Sequence, residues 1–180
     1  AKEVMEIEDS VNRLEDKIGA YLASILATDG TTDRQADNIA GLLHVAGDIE
    51  HIGDNCKNII ELFQEKRSSK FVFSNEAYAE IYQCFDHANR MLTTTMKAFE
   101  NRDLVLANQV LHQEEEMNFL EVNLRKKHMR RLNDKTCSPA FTVIYTDVIH
   151  NLERIGDSCR NIAETILDDV RVEEEFGEVA

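Results

Sequence analysis

Two acidic pairs are the residues whose type and spacing could do chemistry: Glu50 with Asp54, and Glu153 with Asp157. Carboxylates four residues apart share one helix face, a single turn from each other. Like charges so placed raise each other's pKa unless a cation compensates. A divalent or trivalent metal ion such as iron, manganese, magnesium or zinc would do so through carboxylate oxygens. A cation site needs further donors, and Glu8 and Glu114 supply them, with Asn12 and Asn118 one turn on. Gly53 and Gly156 fall inside the two acidic pairs, where glycine costs a helix roughly 1 kcal/mol relative to alanine. Keeping it twice suggests that a neighbouring helix or an ion approaches the backbone.

A purely structural reading stands beside this one. Asp54 with Lys57, Asp157 with Arg160, and Lys57 with Glu61 all have the spacing of helical ion pairs. Asp48-x-x-His51 and Asp147-x-x-His150 resemble half of a di-iron ligand set, but they are displaced by four residues between the repeats, which argues for chance. His44, His87, His112 and His128 read as surface or rim residues, and Cys56 and Cys159 as small core residues. The chain has no G-x-S-x-G, P-loop, H-E-x-x-H or C-x-x-C. No catalytic constellation is visible, so a non-enzymatic role is expected.

The elements that must hold these residues are helices. Apolar residues recur at intervals of three and four in five segments. The first stripe is Ile7, Val11, Leu14, Ile18, Tyr21, Ile25, ending near Gly30. The second is Leu42, Val45, Ile49, Ile52, Cys56, Ile59, Phe63, running from about Thr32 to about Lys66. A break at 67–69 and an apolar staple at 71–73 precede the third, capped by Ser74 and carrying Tyr78, Ile81, Phe85, Ala88, Leu92, Thr95, Phe99. The fourth starts near Asp103 with Val110, Met117, Leu120, Leu124, Leu132. Ser138-Pro139 predicts the start of the fifth, with Ile144, Val148, Leu152, Ile155, Cys159, Ile162, Ile166.

The chain repeats itself. Residues 50–61, E-H-I-G-D-N-C-K-N-I-I-E, match 153–164, E-R-I-G-D-S-C-R-N-I-A-E, at eight of twelve positions. The preceding helices correspond too, Glu8, Val11, Asn12 and Leu14 with Glu114, Met117, Asn118 and Leu120. The expected architecture is all-α, with two pseudo-repeated antiparallel bundles built from five long helices. Residues 1–66 form a first repeat of two helices, 74–168 a second of three, and 169–180 an acidic, frayed tail. The first bundle lacks its opening helix, which upstream sequence or another chain would supply; a homodimer is one way to do so.

Bulk properties narrow the partners. A formal charge of −14 repels nucleic acid and anionic headgroups, so nucleic-acid binding is not expected. Four scattered cysteines read as reduced cytosolic thiols, and no apolar run is long enough to span a bilayer.

These features resemble the PhoU family. Leu152-Glu153-Arg154-Ile155-Gly156-Asp157 followed by Asn161-Ile162-Ala163-Glu164 carries the likeness, echoed by Ile49 to Asp54 followed by Asn58-Ile59. Residues 114–164, including the run Leu124-Arg125-Lys126-Lys127-His128-Met129-Arg130-Arg131-Leu132, are similar to the PhoU-like domain at the C-terminus of bacterial Na/Pi cotransporters. The resemblance implies two three-helix bundles and regulation of phosphate uptake at the cytoplasmic face of the plasma membrane. The partner would be a transporter region of the same chain, with the opening helix lying before Ala1, or a separate phosphate transport or sensing complex. It also implies metal clusters held by paired E/D-x-x-x-D motifs. Glu50, Asp54, Glu153 and Asp157 match one motif of each pair. The other motif reads Glu8-x-x-x-Asn12 and Glu114-x-x-x-Asn118, and each asparagine removes a charge. Rival readings are a free-standing PhoU-like regulator and a di-metal carboxylate enzyme.

Overall fold

The three-and-four spacing is realised as five α-helices: α1 (Lys2–Leu26), α2 (Asp33–Ser68), α3 (Asn75–Asn101), α4 (Leu104–Asn133) and α5 (Thr142–Gly177). This computed structural model describes the backbone of residues 1–28, 30–68, 73–139 and 142–177, and the side chains of 1–28, 30–64, 73–139 and 142–169. Most of the expected break at 67–69 and staple at 71–73 therefore lies outside the described residues; within it, α2 continues to Ser68 and Phe73 is buried.

Local chemistry sets the helix ends. Thr32 and Gln35 form a capping box: Thr32 Oγ1 accepts from the Gln35 N–H at 3.3 Å, and Gln35 Oε1 accepts from the Thr32 N–H at 3.0 Å. Ser74 accepts from the Ala77 N–H, and Asp103 from those of Val105 and Leu106. Between α3 and α4, Arg102 takes a left-handed φ of 49°, which turns the chain within two residues. The fifth helix starts later than Ser138-Pro139 suggests, because Pro139 sits in a 3-10 turn ahead of Thr142. At its far end α5 carries on through the acidic residues to Gly177, where a frayed tail is expected from composition.

Helices α3, α4 and α5 pack pairwise into the second bundle, α1 packs on α2, and α2 on α5. Asn161 donates to Asp48 at 2.9 Å while Gly41 lies beside Thr165, so the two signature helices run antiparallel about a pseudo-two-fold axis. The fifth stripe is buried from Val148 to Ile166, and it meets Met91, Met117 and Leu124, all fully buried. Each such side chain stabilises the fold by about 1.5–3 kcal/mol.

The first stripe behaves differently. Ile7, Leu14, Ile18 and Tyr21 are exposed, and the α1 face turned to α2 is centred on Glu8, Asn12, Glu15 and Leu22. Comparing repeats gives the reason. Ile18 is 42% exposed and its counterpart Leu124 0%; Leu42 is 43% exposed and its counterpart Tyr145 1%. In the second repeat α3 completes the bundle around these positions, and the first repeat has no equivalent helix. Phe85 of the third stripe also faces solvent.

Two histidines expected at the surface are buried, His87 on the Gln113 carbonyl and His128 stacked on Tyr145 with ring centroids 4.5 Å apart. Tyr145 donates to Glu80 at 2.7 Å, and Arg131 grips both Glu80 oxygens at 2.9 and 2.6 Å. Burial raises the Glu80 carboxyl, but hydrogen bonds from Arg131 and Tyr145 outweigh it and leave the group below the usual carboxylate range. Removing one member of a buried pair strands the other charge. Glu80→Ala should therefore cost about 3–5 kcal/mol, read as a lowered urea midpoint. An unchanged midpoint would mean that the network does not tie α3 to α4.

Candidate functional site

The duplicated acids lie on two seams. In the first, α1 and α2 bring together Glu8, Asn12, Glu50, Asp54 and Lys57. In the second, α4 and α5 bring together Glu114, Asn118, Glu121, Glu153, Asp157 and Arg160. The structure thus groups the eight predicted residues four by four, as the repeat implies.

Each seam carries a cation of its own. Lys57 Nζ lies 2.9 Å from Glu8 Oε1, and Arg160 Nη1 lies 3.5 Å from Glu114 Oε1. The expected pairs within one helix, Asp54 with Lys57 and Asp157 with Arg160, are not the contacts made. A base on α2 or α5 instead reaches across to the buried carboxylate of the neighbouring helix, where exclusion of water strengthens the attraction. Arg160 also holds Glu164 on its own helix at 2.8 Å.

In each seam the asparagine amide nitrogen orients the buried carboxylate. Asn12 Nδ2 donates to Glu8 Oε1 at 2.8 Å, and Asn118 Nδ2 to Glu114 Oε1 at 2.7 Å. Each orients the same carboxylate oxygen that receives the Lys57 or Arg160 cation. The Lys57 hydrogen bond, then that of Asn12, holds the Glu8 carboxyl below its usual range.

Three of the remaining acids are relieved only in part. Burial, then the adjacent Asp54, pushes Glu50 up; burial, then Asp157, pushes Glu153 up; burial, then Glu114, pushes Asp157 up. His51 and His150, at 3.8 and 3.3 Å from Glu50 and Glu153, offset this in part. The Asp48 and His51 pair forms no ligand set, since Asp48 accepts from Asn161.

The glycines do not answer to a tight approach of a neighbouring helix. A Cβ on Gly53 would meet Val11 at 3.7 Å, and one on Gly156 would meet Met117 at 3.4 Å and Met91 at 3.5 Å. These are ordinary van der Waals distances, so no close backbone approach requires glycine. The cysteines conform to expectation as thiols: all four are free, and burial pushes Cys84 up to about 12 and Cys159 to about 11, which leaves both unreactive.

One feature lies beyond what the repeat suggests. Asp54 and Asp157 also border a shared polar cleft of about 310 Å³ between α2 and α5. Its walls pair equivalent positions of the two repeats: His51 with Arg154, Asn55 with Ser158, and Asn58 with Asn161. The identity of Asn58 and Asn161 is the trace of this cleft in the sequence, but only the antiparallel crossing turns those residues toward each other.

As a cation site the donor set has mixed fitness. All the donors are hard oxygens, and the buried Asn12 Oδ1 has no partner, so it is an acceptor that an ion would satisfy. Yet among the described residues no three His, Cys, Asp or Glu side chains converge on one point.

The raised carboxyls have a consequence for stability. A carboxyl whose folded pKa exceeds its unfolded value binds protons more tightly when folded, so it destabilises the fold once pH rises through that window. Glu50→Gln and Glu153→Gln should each raise the urea midpoint at pH 7, with the gain vanishing below about pH 4, where unfolded glutamate is protonated. A gain that persists at low pH would assign the effect to packing.

Comparison with known proteins covers both repeats. A family model described as the PhoU domain matches residues 1–63 and 81–166. The chain is 26% identical over 169 residues to the phosphate-specific transport system accessory protein PhoU homolog 1 of Thermotoga maritima, covering 93% of this chain and 71% of that protein. It is 27% identical over 177 residues to the corresponding PhoU homolog of Pseudomonas aeruginosa, covering 95% and 70%. The crystal structure of PhoU from Pseudomonas aeruginosa superposes with a TM-score of 0.84 at 25% identity, covering 95% of this chain and 81% of that one. The phosphate transport system regulatory protein PhoU from Streptococcus pneumoniae shares the fold, with a TM-score of 0.79 at 20% identity, covering 99% and 80%.

Proposed function

The chain belongs to the PhoU family, and we propose on that premise that it regulates phosphate transport by binding other components of a transport system. The observation that carries this reading is the family match across both repeats, supported by superposition on PhoU of Pseudomonas aeruginosa. Fusion to a sodium-dependent transporter draws support from the run 124–132 alone. The curated relatives are named as accessory proteins, which favours a regulator acting on a separate transporter at the cytoplasmic face. Among the described residues no helix is long and apolar enough to cross a membrane. In this reading the chain binds and does not catalyse. Deleting its gene should change how phosphate uptake depends on external phosphate, and restoring this chain should reverse the change; uptake indistinguishable from the parent strain would refute the assignment.

We further infer that the two acidic seams respond to a divalent or trivalent metal ion. Glu50, Asp54, Glu8 and Asn12 would hold it in the first repeat, and Glu153, Asp157, Glu114 and Asn118 in the second. The unpartnered Asn12 Oδ1 and the raised Glu50, Glu153 and Asp157 support this, because a bound cation relieves both. Binding would release Lys57 and Arg160 and so couple metal to the contacts between α1 and α2 and between α4 and α5. Millimolar manganese, magnesium, iron or zinc should raise the melting temperature of the wild-type chain, and Asp54→Asn with Asp157→Asn should abolish the shift. No shift with any of these ions would leave the carboxylates a purely structural role.

A further inference from the structure

Helix α4 carries a stripe that the repeat does not account for. Five of the chain's 20 lysines and arginines fall between 125 and 131, in a protein whose net charge is −14. Two are consumed internally: Arg131 holds Glu80, and Arg125 pairs with Glu121 on its own helix. Lys126, Lys127 and Arg130 are exposed, and among the described residues no carboxylate lies within ion-pair distance of them.

These three cations line one side of an open groove of about 460 Å³ between α3 and α4. Leu120 and Phe119 supply its apolar surface, His87 of α3 lies opposite, and Glu116 closes the end away from the cations. Phe119 is 71% exposed, a large apolar area to leave in water. Along α4 the groove lining from Glu116 to Arg130 spans about 21 Å at 1.5 Å per residue.

The bundle does not need this chemistry. At the corresponding positions of α1, Lys126, Lys127 and Arg130 are replaced by Ala20, Tyr21 and Ser24, and Arg125 and Arg131 by Gly19 and Ile25. Two helices with the same place in the repeat thus differ by five positive charges, three of them exposed and outside any ion pair among the described residues. Exposed cations outside ion-pair distance of a carboxylate add little stability, and beside an exposed aromatic they make a surface complementary to acid and apolar groups together.

We propose that the α3/α4 groove is the docking surface for an acidic, partly apolar helical segment of a partner protein. Its carboxylates meet Lys126, Lys127 and Arg130, and its apolar face covers Phe119 and Leu120. A membrane surface is the weaker fit, because an extended anionic plane meets the acidic surface beyond the groove, whereas a single helix contacts the groove alone. The proposal goes beyond the regulatory reading and does not require it, since binding is measured on the chain itself.

The test uses an amphipathic peptide of about 14 residues, long enough to lie along the stripe as a helix, in which Glu and Asp flank Leu and Phe. Titrated into isotopically labelled protein, it should shift the amide resonances of Phe119, Leu120, Asn123, Lys126 and Lys127 saturably. Affinity should fall with added salt, and Lys126→Glu, Lys127→Glu and Arg130→Glu combined should weaken it about tenfold or more. Phe119→Ala should weaken it several-fold while leaving the salt dependence intact. These side chains are exposed, so the variants should keep a cooperative melt close to that of the wild type, which separates lost binding from lost fold. The proposal is overturned if millimolar peptide shifts nothing, if the shifts map to other helices, or if the triple variant binds as tightly as the wild type. It is equally overturned if only vesicles rich in phosphatidylserine bind, in a manner abolished by the same variant.

Discussion

The burial of α5 is the constraint on which the rest of the structure depends. A helix apolar over a wide face must cover that face, and α5 does so against α2, α3 and α4 together. Val148, Leu152, Ile155, Cys159, Ile162 and Ile166 give it an unbroken apolar stripe. The equivalent helix of the first repeat, α2, is covered among the described residues chiefly by α1 and α5, and its Leu42 remains in water. The asymmetry of the molecule follows from that difference in partners more than from any difference in residue type.

Because α2 and α5 cross antiparallel, the duplicated signatures meet back to back. Helices α2 and α5 turn their glutamate and aspartate toward α1 and α4 respectively, and also present the aspartate at the cleft shared with the other repeat. The seams are acidic, and the fold offsets part of that acidity with a base reaching across each one. Lys57 and Arg160 stand at the same place in the repeat and hold the same carboxylate, with Asn12 and Asn118 aligning it. The result is an ion pair that stabilises the resting arrangement and that an incoming cation would displace. The same residues are thus structural in one state and candidate ligands in another.

Departures from the repeat carry as much information as its agreements. Where both copies agree, at Glu, Asp and Asn of the signature and at Glu8 and Glu114, the residues hold the seams and the cleft. Where one copy departs, the residues either tie a particular bundle or face solvent. Glu80, Arg131, Tyr145 and His128 belong to the first kind and fasten the end of the three-helix bundle. Lys126, Lys127 and Arg130 belong to the second.

Much of this was legible before any coordinates. Helix number, the repeat, the Ser74 cap and the helix starts near Thr32 and Asp103 follow from local spacing, because a helix's period and its end chemistry depend on residues within a few positions; placing Glu8 and Asn12 with Glu50 and Asp54 rested on the repeat and the family resemblance. Which apolar face of α1 is buried did not follow, since Ile7, Leu14 and Ile18 carry the same periodic signal whether or not a third helix arrives to cover them. Nor did the partners of Lys57 and Arg160: the helical spacing to Asp54 and Asp157 is real, but a long flexible base goes to the best-shielded carboxylate within reach, and that one sits on another helix. The burial of His87 and His128 and the meeting of Asp54 with Asp157 at one cleft have the same origin. Contacts within a helix are written in sequence separation, whereas contacts between helices depend on how they cross, and only the assembled bundle decides that.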